Sequence, residues 1–144
     1  MFISVSTTLC PGTYKLPAGL LIAAHNIILD CNGATLVGTF GGTTGIYNDK
    51  YDNVLIKNCN LKNYADGIHL ASLFDCSDFS HFNTIESTNI TNSKVGLLIL
   101  NRDGCNQITS HIIRNNAIIS NSYQGIFIGN VNGNEIYSNI ISSN

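Results

Sequence analysis

The sequence predicts an all-β fold, a right-handed parallel β-helix of about four to five rungs. The first reason is a repeated motif of Gly, apolar, variable and apolar residues at intervals of 29, in Gly67–Leu70, Gly96–Ile99 and Gly125–Ile128, with an earlier copy at Gly45–Asn48. A period of this size is typical of stacked repeats. The second reason is composition: Ile and Asn occur 20 times each, and the apolar residues alternate in short runs. Such a repeat is built of strands and turns.

One repeat unit contains three short strand-like runs, namely Val54–Ile56, Cys59–Leu61 and Ile68–Leu70. Turn-forming residues separate the runs, which is typical of strand boundaries. Stacking such units places each strand beside its equivalent one period later, in parallel sheets with strands about 4.8 Å apart. Parallel crossovers are almost always right-handed, which gives the predicted handedness.

The alternation of the repeated motif predicts two inward columns and one outward row. The inward columns are Ile68, Leu97 and Ile126, and Leu70, Ile99 and Ile128. A leucine-rich repeat is the nearest rival, because its period also reaches the high twenties. That motif requires Leu at several fixed positions, whereas Ile and Asn fill this repeat, so the β-helix is favoured.

The chain divides into an N-terminal cap over residues 1–24, which contains Pro11 and Pro17, and parallel β-helix repeats over residues 25–144. The last segment, Asn134–Asn144, opens a new copy of the repeat and stops before its Gly strand. An unfinished rung leaves unpaired backbone groups at a sheet edge. We therefore expect a fragment of a longer solenoid, or a unit that stacks end to end on another chain.

Charge excludes some partners. Charged residues make up 11% of the sequence, and the formal net charge is −2. Because the sequence contains no stripe of basic residues, we expect no nucleic acid partner.

No apolar run is long enough to span a membrane, and the first residues lack the features of a signal peptide.

The runs His25–Leu36 and Asn53–Leu61 resemble the repeats of NosD-like right-handed parallel β-helix proteins. These proteins are part of the pectate-lyase-like group of carbohydrate-binding and sugar-hydrolase solenoids. The resemblance extends from about Thr8 to Asn144. It implies the fold, whereas the functions found on such repeats range from surface proteins and adhesins to polysaccharide-modifying enzymes and periplasmic accessory proteins.

The five cysteines suggest disulfides and an oxidising, extracellular compartment. Cys76 and Cys105 are 29 residues apart, so they should lie on neighbouring rungs at a separation that a disulfide tolerates. Cys10 and Cys31 are expected to tie the cap to the first rung. This pairing leaves Cys59 alone, in a packing role at a tight corner. We expect no zinc site, because no Cys-x-x-Cys pair occurs.

The 29-residue interval also connects Asn63, Asn92 and Asn121. Stacked side-chain amides can satisfy the backbone groups of turns in a solenoid. We therefore predict that these three residues form a structural asparagine ladder.

Catalytic residues are harder to identify, because hydrolysis of polysaccharides needs carboxylates at a controlled separation, and lyases need clustered acids around Ca²⁺ with a nearby base. The same interval joins Asp49 with Asp78 and Asp52 with His81, which gives one weak candidate cluster along one edge. An ordinary solvated turn edge is the simpler interpretation of these residues. A Ca²⁺ or sugar site is the alternative.

Four residues occupy the variable, outward place of the repeated motif: Tyr47, His69, Leu98 and Phe127. Exposed apolar and aromatic side chains in a continuous line usually contact something. A covering loop or neighbouring subunit would explain the row, and stacking on sugar rings is the more specific hypothesis.

The preferred prediction is an extracellular or cell-surface, secreted solenoid that serves as a structural and binding module for glycan or protein partners. The alternative is a polysaccharide lyase or glycoside hydrolase of the pectate-lyase-like group. A copper-binding accessory factor is disfavoured, because the sequence has one Met and four dispersed His residues.

Overall fold

The computed structural model describes residues 1–40, 42–72, 80–101 and 107–144, and these contain strands and turns without any helix. Numbered along the chain, the strands of the described ranges are β1 (Phe2–Ile3), β2 (Thr7–Thr8), β3 (Thr13–Lys15), β4 (Leu20–Ile22), β5 (Ile28–Asp30), β6 (Thr35–Val37), β7 (Ile46–Asn48), β8 (Leu55–Lys57), β9 (Asn60–Lys62), β10 (Asp66–Ser72), β11 (Thr84–Glu86), β12 (Asn89–Thr91), β13 (Val95–Asn101), β14 (Gln107–Ile108), β15 (Ile112–Arg114), β16 (Ala117–Ile119), β17 (Gln124–Gly129), β18 (Val131–Asn132), β19 (Glu135–Tyr137) and β20 (Ile140–Ser142).

Three parallel sheets of six strands each run along the molecule. Sheet A has the order β1-β4-β7-β10-β13-β17, sheet B the order β2-β5-β8-β11-β15-β19, and sheet C the order β3-β6-β9-β12-β16-β20. One strand from each sheet forms a rung, and β14 and β18 make a small additional parallel pair. The predicted fold class, an all-β parallel solenoid, is confirmed.

The segment assigned to the cap contributes the first strand of each sheet. β1 pairs with β4, β2 with β5 and β3 with β6, all in parallel. Residues 1–24 therefore continue the three sheets in the same pairing mode as the repeats that follow.

Between the first and last strands of sheets B and C, each short strand buries its middle residue. In sheet B, Ile56, Ile85 and Ile113 are in register and at most 1% exposed. Leu61 and Ile90 form the equivalent column in sheet C. Each strand can bury this residue and turn its two neighbours outward because side chains alternate along a strand.

Sheet A carries the repeated Gly motif in the predicted register. Ile68 pairs with Leu97, and Leu97 pairs with Ile126. The second predicted inward column is confirmed for Leu70 and Ile99, which are paired and buried. Its third member, Ile128, is 41% exposed. Ile128 lies on β17, the outermost strand of sheet A, so one side of it is not covered by a neighbouring strand.

The glycines at the start of these strands are required by close packing. A Cβ on Gly96 would collide with a methyl group of Ile118 and would lie 2.5 Å from the carbonyl oxygen of Gly125. Gly67 stands in the same relation to Ile90 and Gly96. A glycine at this point lets the strand of sheet A approach the inward column of sheet C.

The predicted ladder of Asn63, Asn92 and Asn121 is wrong, because Asn121 does not lie in the column of Asn92. Thr91 pairs with Ile119, so Asn92 is aligned with Ser120, and both have a positive φ, as does Asn63. Asn121 instead follows Ser93 in an inward column, where it is 1% exposed, whereas Asn92 is exposed. Its Oδ1 accepts a hydrogen bond from the Ser93 N–H at 3.0 Å.

A difference in loop length explains this shift. The interval between rungs is 29 residues from Ile56 to Ile85, but 28 from Ile85 to Ile113. One additional residue between β16 and β17 restores the 29-residue interval at the Gly strands of sheet A. A single fixed period therefore misplaces the corner residues of this rung.

Inward polar residues stabilise all three corners of the rungs. Thr88 donates its N–H to Oδ1 of Asn116 at 3.0 Å, and Val54 donates to Oδ1 of Asn83 at 2.8 Å. The inward corner residues are spaced five apart within each rung: Asn83, Thr88 and Ser93, then His111, Asn116 and Asn121, then Asn134, Asn139 and Asn144. Each side chain satisfies a buried backbone N–H of the preceding rung.

The predicted disulfide between Cys10 and Cys31 is also wrong. Cys31 is bonded to Cys59, with the two Cα atoms 4.8 Å apart, and Cys10 is an exposed free thiol. Cys31 and Cys59 follow neighbouring strands of sheet B at the same corner, which brings their Cα atoms to the rung spacing. The proposed bridge between Cys76 and Cys105 lies outside the described residues.

The outer face of sheet B carries a column of alternating charge, formed by Asp30, Lys57, Glu86 and Arg114, which ends at Tyr137. Lys57 lies 3.3 Å from Asp30, and Arg114 lies 2.6 Å from Glu86. Opposite charges in adjacent strands favour this register.

Candidate binding face of sheet A

The predicted outward row is continuous in the structure. His69 pairs with Tyr47 on one side and with Leu98 on the other, and Leu98 pairs with Phe127. The register also extends the row beyond Tyr47, because Leu21 pairs with Tyr47. The strands of sheet A therefore align these side chains along the axis, about 4.8 Å apart.

The row is less exposed than the sequence suggests. His69 is only 8% exposed, and Tyr47, Leu98 and Phe127 are half-buried. The rings of Tyr47 and His69 meet edge to face with centroids 5.2 Å apart, which covers part of the imidazole. The row is a partly buried apolar surface with a histidine in its middle.

Two carboxylates accompany the two rings. The Tyr47 hydroxyl donates a hydrogen bond to Oδ1 of Asp49 at 3.1 Å, two residues along the chain. His69 Nδ1 lies 3.6 Å from Oδ2 of Asp66, which also accepts from the Thr44 hydroxyl at 3.5 Å. The spacing of three between Asp66 and His69 is visible in the sequence, but His69 was considered there only as a member of the outward row.

Burial changes the acid–base behaviour of both rings. It lowers the pKa of His69, while the carboxylates of Asp66 and Asp49 act in the opposite direction. Burial, together with the charge of Asp49 and the hydrogen bond to it, raises the pKa of Tyr47. His69 is therefore neutral and Tyr47 protonated at neutral pH. Titratable groups with shifted pKa values beside a cavity are typical of functional sites.

Two shallow cavities flank the row. The first, of about 420 Å³, is lined by Leu21, Thr44, Tyr47 and His69 among others. The second, of about 360 Å³, lies further along the axis. Its lining residues include Asp66, Lys94, Leu98, Tyr123, Gln124 and Phe127. Asp66 thus lines the second cavity and contacts the histidine of the first.

The predicted cluster of Asp49, Asp52, Asp78 and His81 is only partly brought together. Asp52 Oδ1 accepts a hydrogen bond from the His81 N–H at 2.7 Å and lies 3.3 Å from His81 Nδ1. Asp49 contacts Tyr47 instead, and Asp78 lies outside the described residues. His25 was not predicted as part of this cluster. Its Nδ1 lies 3.6 Å from Oδ2 of Asp52, but the two residues are 27 apart, and the prediction used an interval of 29.

Among the described residues, no group of three or more His, Cys, Asp and Glu side chains is arranged to hold a metal ion. Ca²⁺ at the acidic cluster thus stays a prediction from the sequence. The described part of the chain contains no helix that could span a bilayer.

Comparison with known proteins adds no relative: no protein-family model, no curated protein and no solved structure matches the chain.

Proposed function

We propose that the chain is an extracellular or cell-surface β-helix that serves as a structural and binding module, and that the outer face of sheet A contacts a glycan or protein partner. The observation that carries the proposal is the unbroken row from Tyr47 through His69 and Leu98 to Phe127. A continuous line of largely apolar side chains that takes part in lining two cavities suits an extended partner along the axis.

The other two faces are less suited to this role. On sheet B one outward column consists of charged side chains that pair with one another, such as Glu86 and Arg114. The other outward column is partly apolar, with Ile28, Leu55 and Ile112, and contains no aromatic residue among its described members. On sheet C, Asn89 donates its side-chain amide to Asn60 Oδ1 at 2.7 Å, and Asn60 donates to the Gly33 carbonyl at 2.8 Å. These polar groups already bond within the face, whereas the apolar surface of sheet A gains by being covered.

The second cavity supports a sugar-binding role. Tyr123 is highly exposed and lies with Phe127 beside Lys94, Gln124 and Asp66. Aromatic rings offer apolar faces for pyranose rings, and the neighbouring polar side chains can bond to hydroxyl groups. This combination agrees with the carbohydrate-binding functions implied by the resemblance to NosD-like and pectate-lyase-like solenoids.

The disulfide between Cys31 and Cys59 supports an oxidising compartment. Stable disulfides are rare in the reducing cytosol and common in secreted proteins. A secreted or cell-surface protein can both keep such a disulfide and meet a glycan partner.

A polysaccharide lyase or glycoside hydrolase is the second candidate. The observation that favours it is the pairing of Tyr47 with Asp49 and of His69 with Asp66 at the edge of the first cavity. These groups are of the types that transfer protons in such reactions. A binding module and an enzyme would both use this face of sheet A, so an assay for reaction products is needed to distinguish the two functions.

The test combines a glycan array with an assay for reducing-sugar release from the same polysaccharides. Signal on the array, reduced at least about tenfold in affinity by Phe127→Ser, supports the binding module. Phe82→Ser is the matched control, because Phe82 is an exposed aromatic residue outside sheet A. Product release supports the enzyme instead. Absence of any array signal rejects a glycan partner.

A further inference from the structure

The first cavity differs from the second in the charge of its lining. Its lining residues are Ala18, Leu20, Leu21, Thr43, Thr44, Tyr47 and His69, so no Lys or Arg is among the described residues that form it. The second cavity contains the cation Lys94 together with Asp66. A ligand group that enters the first cavity therefore meets apolar surface, hydroxyl groups and an imidazole, with carboxylates behind them.

The polar groups around the first cavity are mainly hydrogen-bond acceptors. Asp66, whose side chain is 20% exposed, contacts His69 and Thr44, and Asp49 accepts the Tyr47 hydroxyl. The Asp66 carboxylate favours the His69 tautomer that carries its proton on Nδ1, which leaves a lone pair on Nε2. Acceptors of this kind bind donors such as sugar hydroxyls and repel anionic groups.

His69 supplies an independent sign that a polar partner is missing. Its side chain is nine-tenths buried, and Nε2 has no hydrogen-bond partner among the described residues. A buried polar atom without a partner is destabilising, by about 1–3 kcal/mol in typical cases. A donor that enters the cavity would offset this cost, provided that the surrounding side chains move aside to reach the covered nitrogen.

We infer that the first cavity is a subsite for an uncharged, hydroxyl-rich sugar unit and that it discriminates against sugars bearing a carboxylate. The Tyr47 ring and Leu21 provide apolar contact, and Thr44 and His69 receive hydroxyl donors. The carboxylate of Asp66, in contact with both Thr44 and His69, excludes a second negative charge. This inference rests on the proposed glycan-binding function and specifies the class of sugar.

The experiment compares matched ligands. A soluble β-glucan, a galactomannan and an α-glucan are each measured beside their own carboxylated form, made by oxidising primary hydroxyls to carboxylates. We expect the wild-type protein to bind at least one neutral form about tenfold more tightly than its carboxylated form, the size of effect that one unfavourable charge pair can produce.

Asp66→Asn removes the charge and keeps the shape of the side chain. We expect it to reduce the preference to less than about threefold, mainly by improving the binding of the carboxylated form. Asp30→Asn is the control, because Asp30 belongs to the charged column on sheet B, and it should leave the preference unchanged. Circular dichroism confirms that both variants are folded.

The outcomes separate the two proposals. Equal binding of the neutral and carboxylated forms, tighter binding of the carboxylated forms, or an unchanged preference in Asp66→Asn overturns the subsite while glycan binding stands. No binding of any polysaccharide, neutral or carboxylated, overturns glycan binding and the subsite with it.

Discussion

Asn121 lies one rung beyond Ser93, and its side-chain Oδ1 accepts the Ser93 N–H at 3.0 Å. Its Nδ2 donates to the Ile90 carbonyl at 3.3 Å, so one buried amide satisfies two backbone groups of the preceding rung. Asn116 makes both bonds in the same way, with the Thr88 N–H and the Ile85 carbonyl, whereas Asn83 makes only the first, with the Val54 N–H. Polar side chains inside the solenoid thus bond one rung to the next.

Asn121→Ala should lower the free energy of unfolding by about 1–3 kcal/mol, because it leaves the Ser93 N–H and the Ile90 carbonyl buried without partners. Asn92→Gly is the control: Asn92 is exposed, and its φ of 52° suits glycine. We expect that control to change stability by less than about 0.5 kcal/mol. Urea denaturation measures both, and an equal loss in the two variants would contradict the inward column.

The fold was predictable because the last three strands of sheet A keep a constant interval of 29 residues. Gly67, Gly96 and Gly125 mark it, and the outward row from Tyr47 to Phe127 follows from the alternation beside these glycines. The corners were not predictable from one period. The loops before the corners differ in length from rung to rung. Asn121 therefore lies in the column of Ser93 and not in that of Asn92, although the register of sheet A is preserved.

The cysteine pairing and the partners of the site residues also depend on geometry that the period does not contain. Cys31 and Cys59 are 28 residues apart, one less than the period that suggested pairing Cys76 with Cys105. The contact of Asp49 with Tyr47, and that of Asp66 with His69, join residues close in sequence, which a search for residues one rung apart overlooks.

Removing the disulfide should destabilise the protein. Replacing both Cys31 and Cys59 by Ala is expected to lower the free energy of unfolding by about 3 kcal/mol, since the bond closes a loop of this length in the unfolded chain. Cys10→Ser should leave stability unchanged, because Cys10 is an exposed free thiol. Thermal unfolding of the three proteins is the measurement. A loss on Cys10→Ser equal to that of the double variant would contradict the pairing.

His111 should make stability depend on pH. Its imidazole is 1% exposed, and its Nδ1 accepts the Asn83 N–H at 3.2 Å. Burial, with a smaller contribution from the charge of His81, lowers the pKa of His111 to about 4, whereas Asp52 opposes the shift. Because the unfolded state binds the proton more tightly, stability is complete above pH 6.5 and falls as the pH drops towards 4. The loss amounts to at most about 3 kcal/mol.

His111→Asn tests this assignment. Asn83 and Asn134 occupy the same column, and each accepts a backbone N–H through Oδ1. An Asn at 111 should therefore keep the hydrogen bond and remove the titration. We expect the variant to lose less stability than the wild type between pH 6.5 and 4 in urea denaturation. Parallel pH profiles for the two proteins would contradict the role of His111.

Phe82 is an unfavourable residue at a corner. It is 61% exposed and has a φ of 55°, a conformation that Asn26 and Asn53 adopt at the equivalent corners. Since Asn tolerates this region better than an aromatic residue, Phe82→Asn should stabilise the protein by about 1 kcal/mol. Thermal unfolding measures the gain, and a lower melting temperature would show that the Phe82 ring makes a stabilising contact.

The charged column of sheet B should respond to charge reversal. Glu86→Lys places a cation between Lys57 and Arg114, so we expect a lower melting temperature at low salt and a smaller loss at high salt. Adding Arg114→Glu should recover part of the loss by restoring an opposite pair. Failure of the second substitution to recover any stability would argue against pairing across this register.

Hydroxyl-radical footprinting tests the central claim, that the outer face of sheet A is the binding surface, most directly. The protein is oxidised with and without the neutral polysaccharide that binds it most tightly, and the modification rate of each side chain is read by mass spectrometry. We predict protection of Tyr47, Tyr123 and Phe127. Phe82 and Tyr137, which lie outside sheet A, should react at unchanged rates. Protection of Phe82 or Tyr137, with Tyr47 and Phe127 unaffected, would contradict the account.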